Sequence, residues 1–257
     1  MNTIVVGLWA STLAGLGTGV GALPILFTRR LSTRIQGILL GFGGGVMLAA
    51  TSFSLILPGV ESAINQGYSN LGAALAIAAG LLLGGAFLWY AHNHFPHEHF
   101  IKGREGPNLA KLERIWLFVI AITLHNLPEG LAVGVGFGAD DPSTGYALAT
   151  GIGLQNIPEG LVVAISLRSL NYSVAYSLGV SLLTGLVEPV GGLIGVTVVS
   201  IAQPLLPWGM AFAAGAMLFV IADEIIPETQ DKGIAQEGTV GVMVGFAVMM
   251  VLDIALG

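Results

Sequence analysis

Long apolar stretches alternate with short polar connections along the whole chain. Eight of these stretches are long enough to cross a bilayer, because a spanning helix needs about 20 mainly apolar residues. They cover residues 3–27, 35–57, 70–91, 115–137, 144–168, 173–201, 205–226 and 237–256. None shows the polar and apolar alternation of a membrane β-barrel strand. The pattern predicts an all-α integral membrane protein with eight transmembrane helices in a single transmembrane transporter domain over residues 1–257.

The positions of the charged residues predict an orientation. All nine Lys and Arg residues lie in or beside the connections that follow spans one, three, five and seven. The positive-inside rule assigns that side to the cytoplasm, which places the N and C termini outside, in a bacterial cytoplasmic (inner) membrane. Only 9% of the residues are charged and 54% are hydrophobic, which excludes an ordinary soluble domain. The net charge of −6 argues against nucleic acid as a partner.

Two apolar patterns recur at an offset of 170 residues. G-L-x-x-x-V-G-x-L begins at Gly15 in span one and at Gly185 in span six, and G-x-M-L begins at Gly45 and at Gly215 in spans two and seven. The partners cross the membrane in opposite directions, which is typical of the inverted repeats of transporters. Spans three and eight match poorly. Spans four and five share a tighter motif, so the sequence predicts a 3+2+3 inverted-repeat arrangement.

Polar side chains collect where spans four, five and six cross the middle of the membrane. Intramembrane acids are costly and usually functional, and neighbouring carboxylates repel one another unless a cation or protons intervene. Histidine or glutamine stands four residues before the glutamate of spans four and five, on the same helical face. The sequence predicts a divalent-metal site, and the alternative is a buried polar network. The predicted ligands are His125, Asn126, Glu129, Gln155, Asn156, Glu159 and Glu188.

Three prolines lie beside these glutamates. Pro128, Pro158 and Pro189 cannot donate a backbone hydrogen bond, so each deprives the carbonyl four residues earlier of its helical partner. Freed carbonyls are tolerated at membrane depth where they face protein or a watered cavity. They add oxygen atoms to a ligand set that contains no sulfur, because the chain has no cysteine. Imidazole, carboxylate and amide ligands suit zinc, iron(II), manganese or cadmium.

The motifs HNLPEG at 125–130 and QNIPEG at 155–160 resemble those of the ZIP (Zrt/Irt-like) family of divalent-metal transporters, particularly its prokaryotic branch. The resemblance implies a binuclear centre in which Glu129 and Glu159 bridge two metals. One site is completed by His125 and Gln155. The other is completed by Asn126, Asn156 and Glu188. Many members carry histidine at the position of Gln155, and the Asn156 position can be acidic or histidine, so metal preference and the strength of the second site are open here.

The resemblance also implies a mechanism of transport. ZIP proteins move metal towards the cytoplasm, and the family is similar to elevator transporters in which one group of helices moves against another. Spans one, four, five and six would form the moving group, and spans two, three, seven and eight the fixed group.

Further polar residues are candidates for the pathway. The cytoplasmic loop 92–114 is rich in histidine and could collect metal at the exit, although a solvated, weakly chelating loop would look the same. Acids near the outer face could concentrate cations at the entrance, and acids at the end of span seven could line the exit; ordinary solvated charge is the alternative for both. The candidates are Ser54, Glu61, His92, His94, His97, His99, Asp223, Glu224 and Asp253.

Together these features predict an importer of divalent metal, zinc first, with cadmium, iron and manganese as alternatives. The metal is the transported substrate, and no organic cofactor is expected. An ion-coupled carrier of a small organic solute is the competing class, since it could also use midplane carboxylates. The HExxH motif of metalloproteases is absent, so the chain is not expected to be an enzyme. A channel and a homodimer remain open.

Overall fold

The computed structural model of the chain describes residues 2–28, 32–94, 97–99, 103–105, 114–138, 142–169, 172–227 and 235–256. Ten α-helices are described. In chain order they are α1 (Thr3–Ala22), α2 (Thr33–Ala49), α3 (Leu57–Asn65), α4 (Asn70–His94), α5 (Arg114–Phe137), α6 (Pro142–Ser169), α7 (Val174–Gly185), α8 (Glu188–Ile201), α9 (Leu206–Val220) and α10 (Ala235–Leu256). Short 3₁₀ turns cover Leu23–Leu26 and Gln203–Leu205.

The helical membrane character predicted from the apolar stretches is confirmed. Among the residues that the structure describes, seven helical segments are long and apolar enough to span a bilayer. The remaining long helix, α5, has 24 residues and carries the first glutamate motif. The number of crossings and the side on which the termini lie stay predictions.

Three helices begin at a capping side chain. The side chains of Asn2, Ser32 and Ser173 accept hydrogen bonds from backbone amides in the first turns of α1, α2 and α7. Such caps satisfy amides that have no partner inside the helix. They fix where the chain turns from a polar connection into an apolar span.

The helices pack mainly in four parallel pairs: α1 with α6, α5 with α8, α2 with α10, and α4 with α9. The first two pairs contact each other through α1, α5, α6, α7 and α8 and form one group of helices. Glycines bring the paired backbones together. A Cβ atom added at Gly84 would overlap the carbonyl of Phe212, and one added at Gly245 would overlap the carbonyl of Phe42.

These glycine contacts extend the internal repeat to the third helix. Phe42 and Phe212 differ by 170 residues, whereas Gly84 and Gly245 differ by 161. The third helix of each repeat is therefore related by a shorter offset than the first two. The connection before α10 is nine residues shorter than its counterpart before α4, which explains why spans three and eight do not match at 170. This packing supports the predicted inverted repeat.

The repeat also places irregular turns at equivalent points. A π-helical segment follows α2 at Ala50–Ile56, and another follows α9 at Ile221–Ile225. Such segments are rare and occur often at functional sites. Span six is interrupted at Leu186 and Val187, just before Pro189, whereas α5 and α6 continue through their prolines.

The predicted boundaries of the histidine-rich loop are wrong at its start. His92 and His94 belong to α4, which continues to His94 because the ring of His94 stacks on that of Tyr90 and its Nδ1 atom lies 2.9 Å from the Tyr90 carbonyl. Beyond the helix, His97–His99 pairs with Gly103–Glu105 as a short antiparallel hairpin. The all-α prediction therefore needs this small exception.

Candidate metal centre

The two glutamate motifs lie in the middle of α5 and α6, and the third glutamate begins α8. The side chains at the centre are withdrawn from solvent: Asn126, Glu129, Gln155, Asn156 and Glu188 are each at most 2% exposed. Glu159 is partly buried. A buried carboxylate requires a charged or hydrogen-bonding partner, so the partners of these groups decide what the centre can do.

Amide side chains supply partners for two of the carboxylates. The Gln155 amide donates a hydrogen bond to Oε1 of Glu129, which links α6 to α5. Nδ2 of Asn156 donates to Oε1 of Glu188 at 2.6 Å and to the carbonyl of Ala14 at 2.8 Å. Both amides therefore turn their NH₂ groups towards protein acceptors, which leaves their oxygen atoms to face the centre.

Several buried polar atoms of the centre have no hydrogen-bond partner within the described part of the chain. Such atoms are rare in native proteins, and each calls for an explanation such as a bound ion or water. Most of them are oxygens that could bind a cation. They are Oε2 of Glu129, Oε2 of Glu188, Oε1 of Gln155, Oδ1 of Asn156, and both polar atoms of the Asn126 amide.

The three carboxylates lie close enough to act on one another. Glu129 experiences repulsion from both Glu159 and Glu188, and Glu188 experiences repulsion from Glu159. Like charges at this depth are strongly unfavourable, since the membrane interior screens them poorly. A divalent cation between them would remove the repulsion and satisfy the free oxygens together.

The carboxylates do not by themselves form a closed cage. No group of three or more His, Asp or Glu side chains able to hold a metal is found among the described residues. The predicted ligand set also contains three amides and the ring of His125. The backbone of His125 lies in α5, four residues before Glu129, and its side chain lies outside the described residues. Its role as a ligand stays a prediction.

Close packing of glycines holds the motif helices against α1 and α8. A Cβ atom at Gly130 would overlap the backbone of Glu188, and one at Gly160 would overlap the backbone of Thr18. Thr18 and Glu188 are 170 residues apart, so Thr18 is the repeat counterpart of the third glutamate. Its hydroxyl is buried and lacks a hydrogen-bond partner among the described residues. The sequence prediction missed Thr18, although the offset of 170 points to it.

The pathway candidates fall into three places. The hydroxyl of Ser54, in the first π-helical segment, donates a hydrogen bond of 2.5 Å to Oδ1 of Asp253 in α10. Glu61 is exposed on α3. Asp223 and Glu224 lie in the second π-helical segment, and the Glu224 side chain lies outside the described residues. The structure thus joins Ser54 to Asp253 but not to its predicted counterpart Glu224.

The histidine candidates lie at one end of α4 and in the hairpin that follows it. The backbone of β1 contacts α5, so the hairpin packs beside the helix that carries the first motif. The side chains of His92, His97 and His99 lie outside the described residues. Metal binding by these histidines stays a prediction.

A bundle of apolar helices around buried carboxylates and oxygen-rich amides defines an integral membrane protein with a cation-binding centre. The family model described as ZIP Zinc transporter matches residues 94–253. The chain belongs to the ZIP family, as its two motifs predicted, and it is therefore a transporter and not an enzyme.

Relatives extend the similarity over almost the whole chain. The chain is 52% identical over 251 residues to zinc transporter GufA of Myxococcus xanthus, covering 98% of this chain and 99% of that protein. It is 47% identical over 244 residues to zinc transporter ZIPB of Bordetella bronchiseptica, covering 93% and 78%. It is 33% identical over 262 residues to zinc transporter ZupT of Chlorobium phaeovibrioides, covering 97% of each. These names favour a divalent metal over an organic solute as the substrate.

Proposed function

We propose that the protein carries zinc into the cytoplasm through a binuclear centre between α5, α6 and α8. The observation that carries the proposal is the group of buried oxygens on Glu129, Gln155, Asn156 and Glu188 that have no hydrogen-bond partner in the described part of the chain. Oxygen and imidazole ligands suit zinc and also cadmium, iron(II) and manganese. Glu129 and Glu159 bridge the two metals in this proposal.

The direction of transport follows from the predicted topology. The basic connections lie in the cytoplasm, both termini lie outside, and the membrane is the bacterial inner membrane. Ser54, Asp253 and Glu61 line the outer entrance, while Asp223, Glu224 and the histidines of residues 92–99 lie at the exit. The group formed by α1, α5, α6, α7 and α8 moves as one body past the other helices, which is supported by its extensive internal contacts.

Uptake of radioactive zinc into proteoliposomes tests the proposal. The parent protein is expected to carry zinc down its gradient, and Glu129→Ala is expected to abolish uptake because it removes a bridging ligand. Glu237→Ala is the matched control, since Glu237 forms a surface ion pair in which its Oε1 lies 3.3 Å from Nε of Arg34. Failure of the parent to carry zinc, cadmium or iron under any gradient would contradict the function. Equal loss in both variants would contradict the site.

A further inference from the structure

A cavity of about 340 Å³ separates the two groups of helices. Helices α5 and α8 line one wall, and α4 and α9 line the other. Leu127 and Pro128, the two residues before Glu129, belong to the lining. The cavity therefore adjoins the turn of α5 that carries the candidate metal centre.

The lining offers nothing to water or to a metal ion. All of its residues are apolar: they are aliphatic, aromatic, glycine or proline. Water occupies a cavity when it finds two or more polar partners, and apolar cavities of this kind stay dry or bind hydrocarbons. A void of this size is also costly when empty, because the atoms around it lose their dispersion contacts. An apolar ligand is the occupant that such a lining fits.

The rim of the cavity opens to the surface of the protein that faces lipid. Phe87, Ile194 and Val198 belong to the lining and are 48%, 50% and 45% exposed. They lie on α4 and α8, both within segments able to span a bilayer. The hydrocarbon that surrounds these residues in a membrane is the acyl chain of phospholipid, which can reach the cavity without crossing a polar layer.

The equivalent position in the other repeat is filled by the protein itself. Leu88 lines the cavity, and its counterpart at the offset of 161 is Met249 on α10. The side chain of Met249 is fully buried and packs so closely on α6 that a Cβ atom at Gly151 would overlap its sulfur. A long, flexible methionine fills irregular gaps, whereas the leucine of the other repeat leaves the space open.

We propose that the cavity between α5–α8 and α4–α9 binds an acyl chain of a membrane phospholipid. The chain replaces the packing that Met249 supplies in the other repeat. It lies against Leu127, Pro128 and Leu131 of α5, so it supports the helix turn that positions Glu129. Lipid binding at this cavity is independent of whether the centre carries zinc.

Photolabelling tests this binding directly. The full chain is reconstituted in vesicles of dioleoyl phosphatidylglycerol that contain a phosphatidylcholine with a diazirine near the end of one acyl chain. After irradiation, mass spectrometry of peptides is expected to find the label on Leu131 and Val135 of α5. Val198→Phe narrows the rim and is expected to lower this labelling about tenfold, as for a loss of about 1.4 kcal/mol in binding. Ile201→Phe is the matched control, because Ile201 lies on the same helix and is 80% exposed.

A second variant protects the test against misfolding. Gly209→Leu fills the cavity from α9, where an added Cβ atom would make ordinary contacts of 3.4 Å with Val135 and Val199. Both variants should elute as the parent does in size-exclusion chromatography and should lose the label. Labelling of the lining that neither variant changes would overturn the proposal. So would an unlabelled lining in which a crosslinker at residue 198 joins two copies of the chain, since a second copy would then cover the cavity.

Discussion

The two halves of the candidate metal centre differ, although the helices that build them pack in the same way. Gly130 of α5 lies on Glu188 of α8, and Gly160 of α6 lies on Thr18 of α1. In one half, Asn156 donates to Glu188 and to the Ala14 carbonyl. In the other half, neither polar atom of the Asn126 amide has a hydrogen-bond partner among the described residues, and the same holds for the Thr18 hydroxyl.

This difference separates support from function. The half around Asn156 holds its side chains in place through hydrogen bonds before any metal arrives. The half around Asn126 leaves its polar atoms unsatisfied, which is costly in a buried site and favours binding of a cation or water there. A symmetric scaffold therefore carries an asymmetric centre, and the following changes should affect its halves differently.

The largest effect is expected from overpacking the scaffold, which both halves share. Gly130→Val and Gly160→Val each place side-chain atoms onto a neighbouring backbone, and overpacking costs about 1–3 kcal/mol. Both should lower the thermal unfolding temperature in detergent by similar amounts and should abolish zinc uptake. Gly179→Ala is the control, because an added Cβ atom there meets nothing within 4 Å. Destabilisation by only one of the two valines would contradict the symmetry of the scaffold.

The third carboxylate and its counterpart should differ in metal affinity. Glu188→Gln keeps the size of the side chain and removes its charge, so zinc affinity measured by calorimetry should fall at least about tenfold. Thr18→Val is nearly isosteric and removes only an unpartnered hydroxyl, so affinity should change less than about threefold. Equal losses in the two variants would place Thr18 among the ligands and remove the asymmetry.

The two asparagines should separate stability from binding. Asn156→Ala leaves Oε1 of Glu188 and the Ala14 carbonyl without their donor, which should cost about 1–3 kcal/mol in the free energy of unfolding of the metal-free protein. Asn126→Ala removes no described hydrogen bond, so it should cost less in stability and act mainly on zinc affinity. Unfolding curves measured with and without zinc distinguish these effects. The opposite assignment would contradict the view that Asn156 supports and Asn126 binds.

A smaller effect with two signs is expected from Asn156→Asp. The new carboxylate faces Glu188 in place of an amide donor, so the metal-free protein should be destabilised by repulsion. The same charge should tighten zinc binding a few-fold. Calorimetry and thermal unfolding on one preparation measure both quantities. Unchanged affinity and stoichiometry would show that the side chain at position 156 does not bind the metal.

Much of the fold could be predicted from the sequence because a bilayer requires long apolar helices. The repeat was visible in the first two helices, where Gly15 and Gly45 recur at one offset. It was hidden in the third, because a connection differs in length and the conserved feature is a backbone contact at Gly84 and Gly245. The end of α4 was missed because contacts of His94 with Tyr90 extend the helix beyond the apolar stretch.

The candidate site was predictable in its residue types but not in its internal partners. Helical spacing places Gln155 near Glu159 along one face, yet the amide of Gln155 donates across to Glu129. Which acceptor an amide reaches depends on how two helices approach each other, and a single sequence does not report this. The unsatisfied half around Asn126 emerged only from the packed structure.

Anomalous X-ray diffraction from crystals grown with cadmium tests the central claim most directly. Cadmium accepts the same oxygen and nitrogen ligands and scatters strongly near accessible wavelengths. The account predicts an anomalous peak between α5, α6 and α8, with Oε2 of Glu129, Oε2 of Glu188 or the Asn126 amide oxygen within coordination distance. Peaks confined to the histidines of residues 92–99 or to the surface, with the centre empty at saturating cadmium, would contradict it.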